Sequence, residues 1–96
     1  MLLKSASKIL KQHKEELAEQ GGRSLAIFGS VARNESTSKS DVDILIDFDS
    51  KRGVFAFVGL KSYLENLLDC NIDLVTKDAL HPALKSKILC EAENVF

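Results

Sequence analysis

The chain of 96 residues is long enough for one domain with a modest hydrophobic core, and it is too short to enclose a large substrate pocket by itself. Its formal net charge of -1 lacks the basic excess of proteins that bind extended nucleic acid or anionic membranes. The sequence contains no membrane-length apolar run or secretory leader pattern, and Cys70 and Cys90 lack metal-ligand spacing. We therefore expect a cytoplasmic single domain, residues 1–96, whose free thiols pack in the core.

The first half of the chain predicts a helix, two strands and the segments that connect them. Residues 2–19 carry leucine and isoleucine near helical spacing among lysines and glutamates, which predicts an amphipathic helix ended by a glycine pair. The apolar run 24–28 stops at a glycine and predicts a buried strand followed by a short helix. The wholly polar residues 34–40 predict a loop, and the alternation in 41–48 predicts the second strand.

The second half of the chain continues the alternation of helices and strands. Residues 54–68 predict a helix whose apolar residues recur at spacings of three and four: Phe55, Val58, Leu60, Leu64 and Leu67. Residues 71–76 predict a third strand, and Pro82 suits the first turn of a last helix. The apolar stripe of that helix continues toward Phe96: Leu84, Ile88, Leu89 and Ala92. This order predicts an α/β or α+β domain whose helices cover at least one sheet face.

Two aspartates separated by one residue stand out at the start of the second strand. Side chains alternate along a strand, so Asp41 and Asp43 should share a face about 7 Å apart, opposite the apolar face. Like charges at this spacing repel unless cations lie between them, and hard cations such as Mg²⁺ take carboxylate and phosphate oxygens. Asp73 in the third strand is the candidate third carboxylate, provided that the strands pair in the appropriate register.

A Gly-Ser pair precedes these aspartates, at the end of the first strand. Gly29 allows close backbone approach, Ser30 adds a hydroxyl, and a helix N-terminus offers N–H groups to phosphate oxygens. Arg33, one turn later, could contact the same anion through two N–H groups. Each motif alone is explained by an ordinary turn or a solvated strand face, but a chance chain of this length would combine them at this spacing only about once in a thousand.

The stretch "GSVARNESTSKSDVDILIDF" resembles the signature of the DNA polymerase β-like nucleotidyltransferase superfamily, and it is most similar to the minimal nucleotidyltransferase (MNT) branch. The resemblance covers nearly the whole chain and implies an α+β fold with a small mixed sheet and helices mainly on one face. By position, it implies that Gly29 and Ser30 bind nucleotide phosphates. It likewise implies that Asp41 and Asp43 bind two Mg²⁺ ions, and that Asp73 is the third carboxylate of this catalytic metal site and helps to activate the acceptor hydroxyl.

The resemblance also implies an activity and a partner. MNT proteins are commonly antitoxins that transfer AMP from ATP to a tyrosine of a helical HEPN-type RNase toxin. A catalytically silent protein that neutralises its partner by binding alone is the main alternative, and an aminoglycoside-type nucleotidyltransferase is a more distant one. The residues themselves select neither ATP over other nucleotides nor an oligomeric state. No membrane partner and no extended nucleic-acid contact are expected.

Overall fold

Strands from both halves of the chain form one mixed sheet in the computed structural model, which describes residues 3–33 and 41–96. The strands run in the spatial order β3-β2-β1-β4, and their bounds are β1 Gly22–Phe28, β2 Val42–Phe48, β3 Ile72–Thr76 and β4 Glu93–Asn94. Strand β1 is antiparallel to β2 and to β4, whereas β2 and β3 are parallel. The loop predicted at 34–40 lies outside the described residues, as do Met1 and Leu2.

Helices lie before the first strand and between successive strands. Their bounds are α1 Leu3–Gln12, α2 Lys14–Glu19, α3 Gly29–Ala32, α4 Gly53–Leu68 and α5 Pro82–Glu91. Short 3₁₀ turns precede α4 at Ser50–Arg52 and follow β3 at Lys77–Ala79. Within the parts of the chain that the structure describes, no helix is both long and apolar enough to cross a membrane.

The predicted first helix is interrupted at His13. The His13 backbone N–H donates to the Leu10 carbonyl at 3.1 Å, a bond three residues back that tightens the last turn of α1. Its ring Nδ1 lies 2.9 Å from the Ile9 carbonyl oxygen, the group that a continuous α-helix would pair with the backbone N–H of residue 13. The side chain thus takes the place of a helical backbone bond, and α2 begins at the next residue.

The hydrophobic core lies between one face of the sheet and the helices α1, α2 and α4. The strand residues on this face keep the predicted alternation, as Ile44 and Ile46 of β2 are both fully buried. Helical residues that meet them are Ala6, Leu10, Leu17, Leu60, Leu64 and Leu68. The core contains no buried polar or charged residue among those described. A mixed sheet with helices mainly on one face, as the resemblance implied, is therefore confirmed.

Helix α4 buries only part of the predicted apolar stripe, because Leu60 and Leu64 lie in the core whereas the start of the helix is exposed. Phe55 is 94% exposed and Val58 is 53% exposed, although the spacing placed both in the apolar stripe. Phe57 turns inward instead and packs edge-on against Phe48, with ring centroids 5.5 Å apart. At 100° per residue, Phe57 lies on the side of Leu60, whereas Phe55 lies nearly opposite Phe57. The exposed start of α4 is thus an apolar surface.

The last helix is another point at which the structure differs from the prediction. No residue of α5 is buried, and Leu84 and Leu89 of the predicted stripe are largely exposed. Cys90 is likewise exposed, and it does not pack in the core as expected; neither cysteine forms a disulfide. After α5, the short strand β4 pairs with β1 and brings Val95 into the core. A strand of two residues has no sequence periodicity, so it could not be predicted.

The two phenylalanines of α4 allow a matched test of this packing. We expect Phe55→Ala to change the free energy of unfolding by less than about 0.5 kcal/mol, because an exposed side chain buries little surface on folding. Phe57→Ala should cost about 2 kcal/mol, since it removes a partly buried ring that packs against Phe48. Urea denaturation of both variants measures the difference. Equal costs would contradict the observed orientation of α4.

Candidate active site

Two aspartates meet on the sheet face opposite the core. The parallel register of β2 and β3 places Asp43 directly beside Asp73. Both alternate with buried residues, so their side chains project from the other face, as predicted. The two side chains are close enough for Asp73 to raise the pKa of Asp43 through its charge and a side-chain hydrogen bond. The strand register thus brings together two acidic groups that are thirty residues apart in the sequence.

The surroundings of Asp43 disfavour its charged form. Partial burial makes the largest contribution, followed by the charge of Asp73, the hydrogen bond with Asp73 and the charge of Asp41. Together these effects raise the pKa of Asp43 from 3.8 to about 6, against a smaller opposing effect of the Arg33 guanidinium. Asp41 is exposed and immediately precedes β2, close enough for its charge to act on Asp43. Among the described residues, the site thus combines three acidic side chains with the nearby Arg33 guanidinium.

The Gly-Ser turn lies against these carboxylates. Residue Phe28 pairs with Asp43 across the antiparallel strands, so Gly29 follows at the same edge of the site. The φ angle of Gly29 is 73°, a conformation that side chains with a Cβ rarely adopt, and a Cβ at this position would collide with the Asp43 carboxylate. Only glycine meets both conditions here. Ser30 follows as the second residue of α3 and is half-buried.

Arg33 follows α3 and links it to the C-terminal part of the chain. Its backbone N–H donates to the Gly29 carbonyl at 3.1 Å, which closes the single turn of α3. Its Nη1 donates to Oε1 of Glu91, the last residue of α5, in an ion pair. The guanidinium also lowers the pKa of Asp43, so it lies within electrostatic range of the acidic cluster.

These contacts connect most of the residues that the sequence singled out. Gly29, Asp43 and Asp73 are in immediate proximity, while Asp41 and Arg33 act on Asp43 through their charges. The catalytic, nucleotide-binding and metal-binding roles expected for them remain predictions. Sequence reasoning missed Glu91, whose partner Arg33 lies 58 residues earlier. No local pattern signals that pairing, because it depends on the path of α5 past α3.

The acidic cluster has a donor set that suits Mg²⁺, which prefers oxygen ligands. A divalent cation between Asp43 and Asp73 would relieve the repulsion that now raises the Asp43 pKa. Over residues 3–33 and 41–96, no three acidic, histidine or cysteine side chains already form a metal-binding group. The carboxylates of Asp41, Asp43 and Asp73 fit the ion by their donor chemistry alone, and the prediction that they hold two ions remains a prediction.

Comparison with known families agrees with the resemblance of the motifs. Residues 10–93 match the family described as "Nucleotidyltransferase domain". The chain therefore belongs to the nucleotidyltransferase domain family. This match covers most of the chain, including the Gly-Ser turn and all three aspartates. The prediction that the protein is an enzyme of the nucleotidyltransferase class is thereby confirmed.

Curated relatives of this nucleotidyltransferase carry more specific names. A candidate protein adenylyltransferase of Methanocaldococcus jannaschii is 44% identical over 88 residues, which cover 90% of each chain. The protein adenylyltransferase MntA of Thermococcus cleftensis is 40% identical over 96 residues, or 99% of this chain and 97% of the relative. The chain is thus similar to these relatives over nearly their full length.

Solved structures share the fold. A minimal nucleotidyltransferase superposes with a TM-score of 0.84 and 33% identity, over 97% of this chain and 95% of the other. This likeness confirms the predicted MNT branch and fold. A chain from a complex of a tri-AMPylated HEPN toxin of Shewanella oneidensis with an MNT antitoxin superposes with a TM-score of 0.66 and 17% identity. The superposition covers 94% of this chain and 71% of the other. At 17% identity, it shows only that the two chains share a fold.

Proposed function

We propose that this nucleotidyltransferase transfers AMP from ATP to a tyrosine hydroxyl of a HEPN-type toxin and thereby acts as the antitoxin of that protein. The observation that carries the proposal is the position of Gly29 directly against the carboxylate of Asp43, the residue that pairs with Asp73 on the neighbouring strand. A strand-to-helix turn that accepts phosphate, placed against acidic metal ligands, is the arrangement that nucleotidyl transfer requires. The 40% identity to a relative named protein adenylyltransferase supports a protein acceptor.

The proposed reaction is a displacement at the α-phosphorus of ATP. The tyrosine oxygen forms a bond to the α-phosphorus, the bond from that atom to the oxygen bridging to the β-phosphate breaks, and pyrophosphate leaves. The hydroxyl proton passes to the Asp73 carboxylate, which is exposed beside Asp43. Gly29 and Ser30 present backbone N–H groups to the triphosphate, and Arg33 adds positive charge.

Bound Mg²⁺ would supply charge neutralisation for the phosphate oxygens, held by Asp41, Asp43 and Asp73. The chain itself contributes position and charge without covalent chemistry. Glycine at 29 lets the backbone approach the carboxylates, and the rigid pairing of β2 with β3 fixes the distance between Asp43 and Asp73. The acceptor in this proposal is brought to the acidic cluster by a separate protein, in line with the similarity to a relative named protein adenylyltransferase.

Intact-mass spectrometry of a HEPN-type toxin from the same organism, co-expressed with this chain, tests the proposal. We expect mass steps of one AMP each, localised to tyrosine, and their loss in the Asp43→Asn variant. Asp78→Asn is the matched control, because Asp78 is an exposed carboxylate in the turn after β3. A toxin that is neutralised without any gain of mass would refute transfer and establish neutralisation by binding alone.

A further inference from the structure

We propose that Glu91 is a positioning residue for the triphosphate site, which it serves by holding the Arg33 guanidinium beside the acidic cluster. The inference rests on the proposed function, because a nucleotide triphosphate is the anion that Arg33 would contact there. Glu91 lies at the end of α5, far from the Gly-Ser turn in sequence, and it contacts Arg33 directly. It would act through Arg33 alone, without touching the nucleotide.

The burial of the ion pair separates it from an ordinary surface contact. The Glu91 side chain is only 19% exposed, whereas that of Arg33 is 46% exposed. A carboxylate withdrawn from water to this degree is costly unless a cation and hydrogen-bond donors compensate it. The rest of α5 is mostly exposed and has no buried residue, so Glu91 is among its most enclosed positions. Glu91 is therefore a partly buried acid whose carboxylate is compensated by its ion pair with Arg33.

Arg33 needs such a partner because its own element is short. Helix α3 has four residues, and Arg33 is the residue after it. A long arginine side chain loses up to about 2 kcal/mol of conformational entropy when it is held in one orientation. The contact with Glu91 imposes that order before the nucleotide arrives, so that less remains to be lost on binding. Arginine has five N–H donors, and the bond to Glu91 uses only part of that capacity.

The ion pair between Arg33 and Glu91 also lies near the acidic cluster. Arg33 lies close enough to Asp43 to act on it electrostatically, and Gly29 of the same helical turn abuts the Asp43 carboxylate. A guanidinium held here is near the position where the triphosphate of the proposed function would meet the acidic cluster. The opposite possibility is that Glu91 competes with phosphate for Arg33, in which case removal of its charge would tighten nucleotide binding. Experiment separates the two by the sign of the effect.

The test compares Glu91→Gln with Glu93→Gln, in which an exposed glutamate two residues later loses its charge. We expect Glu91→Gln to raise the KM for ATP about fivefold to tenfold with kcat within about twofold, as loss of one charge-assisted orienting contact would. Glu93→Gln should leave both constants unchanged. In an Arg33→Gln background, adding Glu91→Gln should have little further effect, since Glu91 acts only through the Arg33 guanidinium.

Calorimetric titration with ATP and with inorganic tripolyphosphate separates failure of this inference from failure of the proposed function. Weaker binding of both anions by Glu91→Gln supports the positioning role even if no protein is ever adenylylated. Unchanged or tighter binding overturns it, whether or not AMP transfer occurs. The Arg33 Nε–H signal in ¹⁵N-resolved NMR is a second readout: it should shift in Glu91→Gln and stay unchanged in Glu93→Gln. An unshifted signal in a folded Glu91→Gln protein also refutes the proposal.

Discussion

Replacing Asp43 with asparagine is expected to abolish AMP transfer and to make the metal-free protein more stable at neutral pH. Transfer should fall by about 10³-fold or more, as is typical when a charged group is lost at a reaction centre. Stability should rise because Asp43 is held beside Asp73 and near Asp41 in surroundings that disfavour its charge. An uncharged amide of the same shape removes that repulsion and can still hydrogen-bond to Asp73.

The stability gain should depend on pH in a defined window. The pKa of Asp43 is raised from 3.8 to about 6 on folding, so the folded state favours the protonated acid. The contribution of this group to stability is therefore complete below pH 3.8 and is lost as the pH rises through 6. After allowance for solvent screening at this partly exposed side chain, the loss is about 1 kcal/mol. The advantage of Asp43→Asn should develop across that window and stay constant above it.

Urea denaturation between pH 4 and pH 8 in the presence of EDTA measures this effect. Asp78→Asn serves again as the control, because it changes the net charge equally at an exposed turn. A free energy of unfolding that rises in parallel for both variants would attribute the gain to net charge alone. A variant less stable than the parent at pH 8 would show that the Asp43 carboxylate is not under repulsive strain.

The sequence predicted well those structural features that depend on the residues of a single strand or helix. The alternation of Val42, Ile44 and Ile46 located both the strand and its core face, so the phase of Asp43 followed from the same three residues. The assignment of Asp73 needed more, since it depended on how two strands pair. The structure has the parallel register that this assignment required, with Asp73 beside Asp43.

The predictions that failed depend on relations between elements. The spacing within α4 allowed either Phe55 or Phe57 to face inward, and the position of the Phe48 ring decided the outcome. His13 has ordinary helical neighbours, yet its ring takes the Ile9 carbonyl and separates α1 from α2. Both features are set by side-chain contacts that hydrophobic periodicity does not encode.

The contact of Glu91 with Arg33 could not be predicted from the sequence for a different reason. Its pairing with Arg33 joins residues 58 positions apart, and it involves a helix whose own apolar pattern predicted burial that does not occur. With Leu84 and Leu89 exposed, the structural links of α5 include its contact with α3 and the strand that follows it. A single acidic residue on such a helix resembles any solvated glutamate until the path of the chain is known.

Replacing Gly29 with alanine is expected to lower kcat/KM for AMP transfer by about 10²-fold or more, the loss that a displacement of about 1 Å in a reacting group produces. The added Cβ would collide with the Asp43 carboxylate and force it away from Asp73. The positive φ of residue 29 would also cost about 1–2 kcal/mol of folding stability. Transfer assays and urea denaturation measure the two effects separately.

Gly53 provides the control that distinguishes collision from backbone strain. Its φ is 85°, close to the 73° of Gly29, but among the described residues no atom beyond its chain neighbours and its own helix backbone lies within 4 Å of the position where its Cβ would be. Gly53→Ala should therefore lose about the same 1–2 kcal/mol of stability and keep its transfer activity. If both variants lost activity in proportion to stability, the close approach of Gly29 to Asp43 would have no catalytic meaning. Because the backbone cost is common to both, any excess loss in Gly29→Ala measures the dependence of transfer on an undisplaced Asp43 carboxylate.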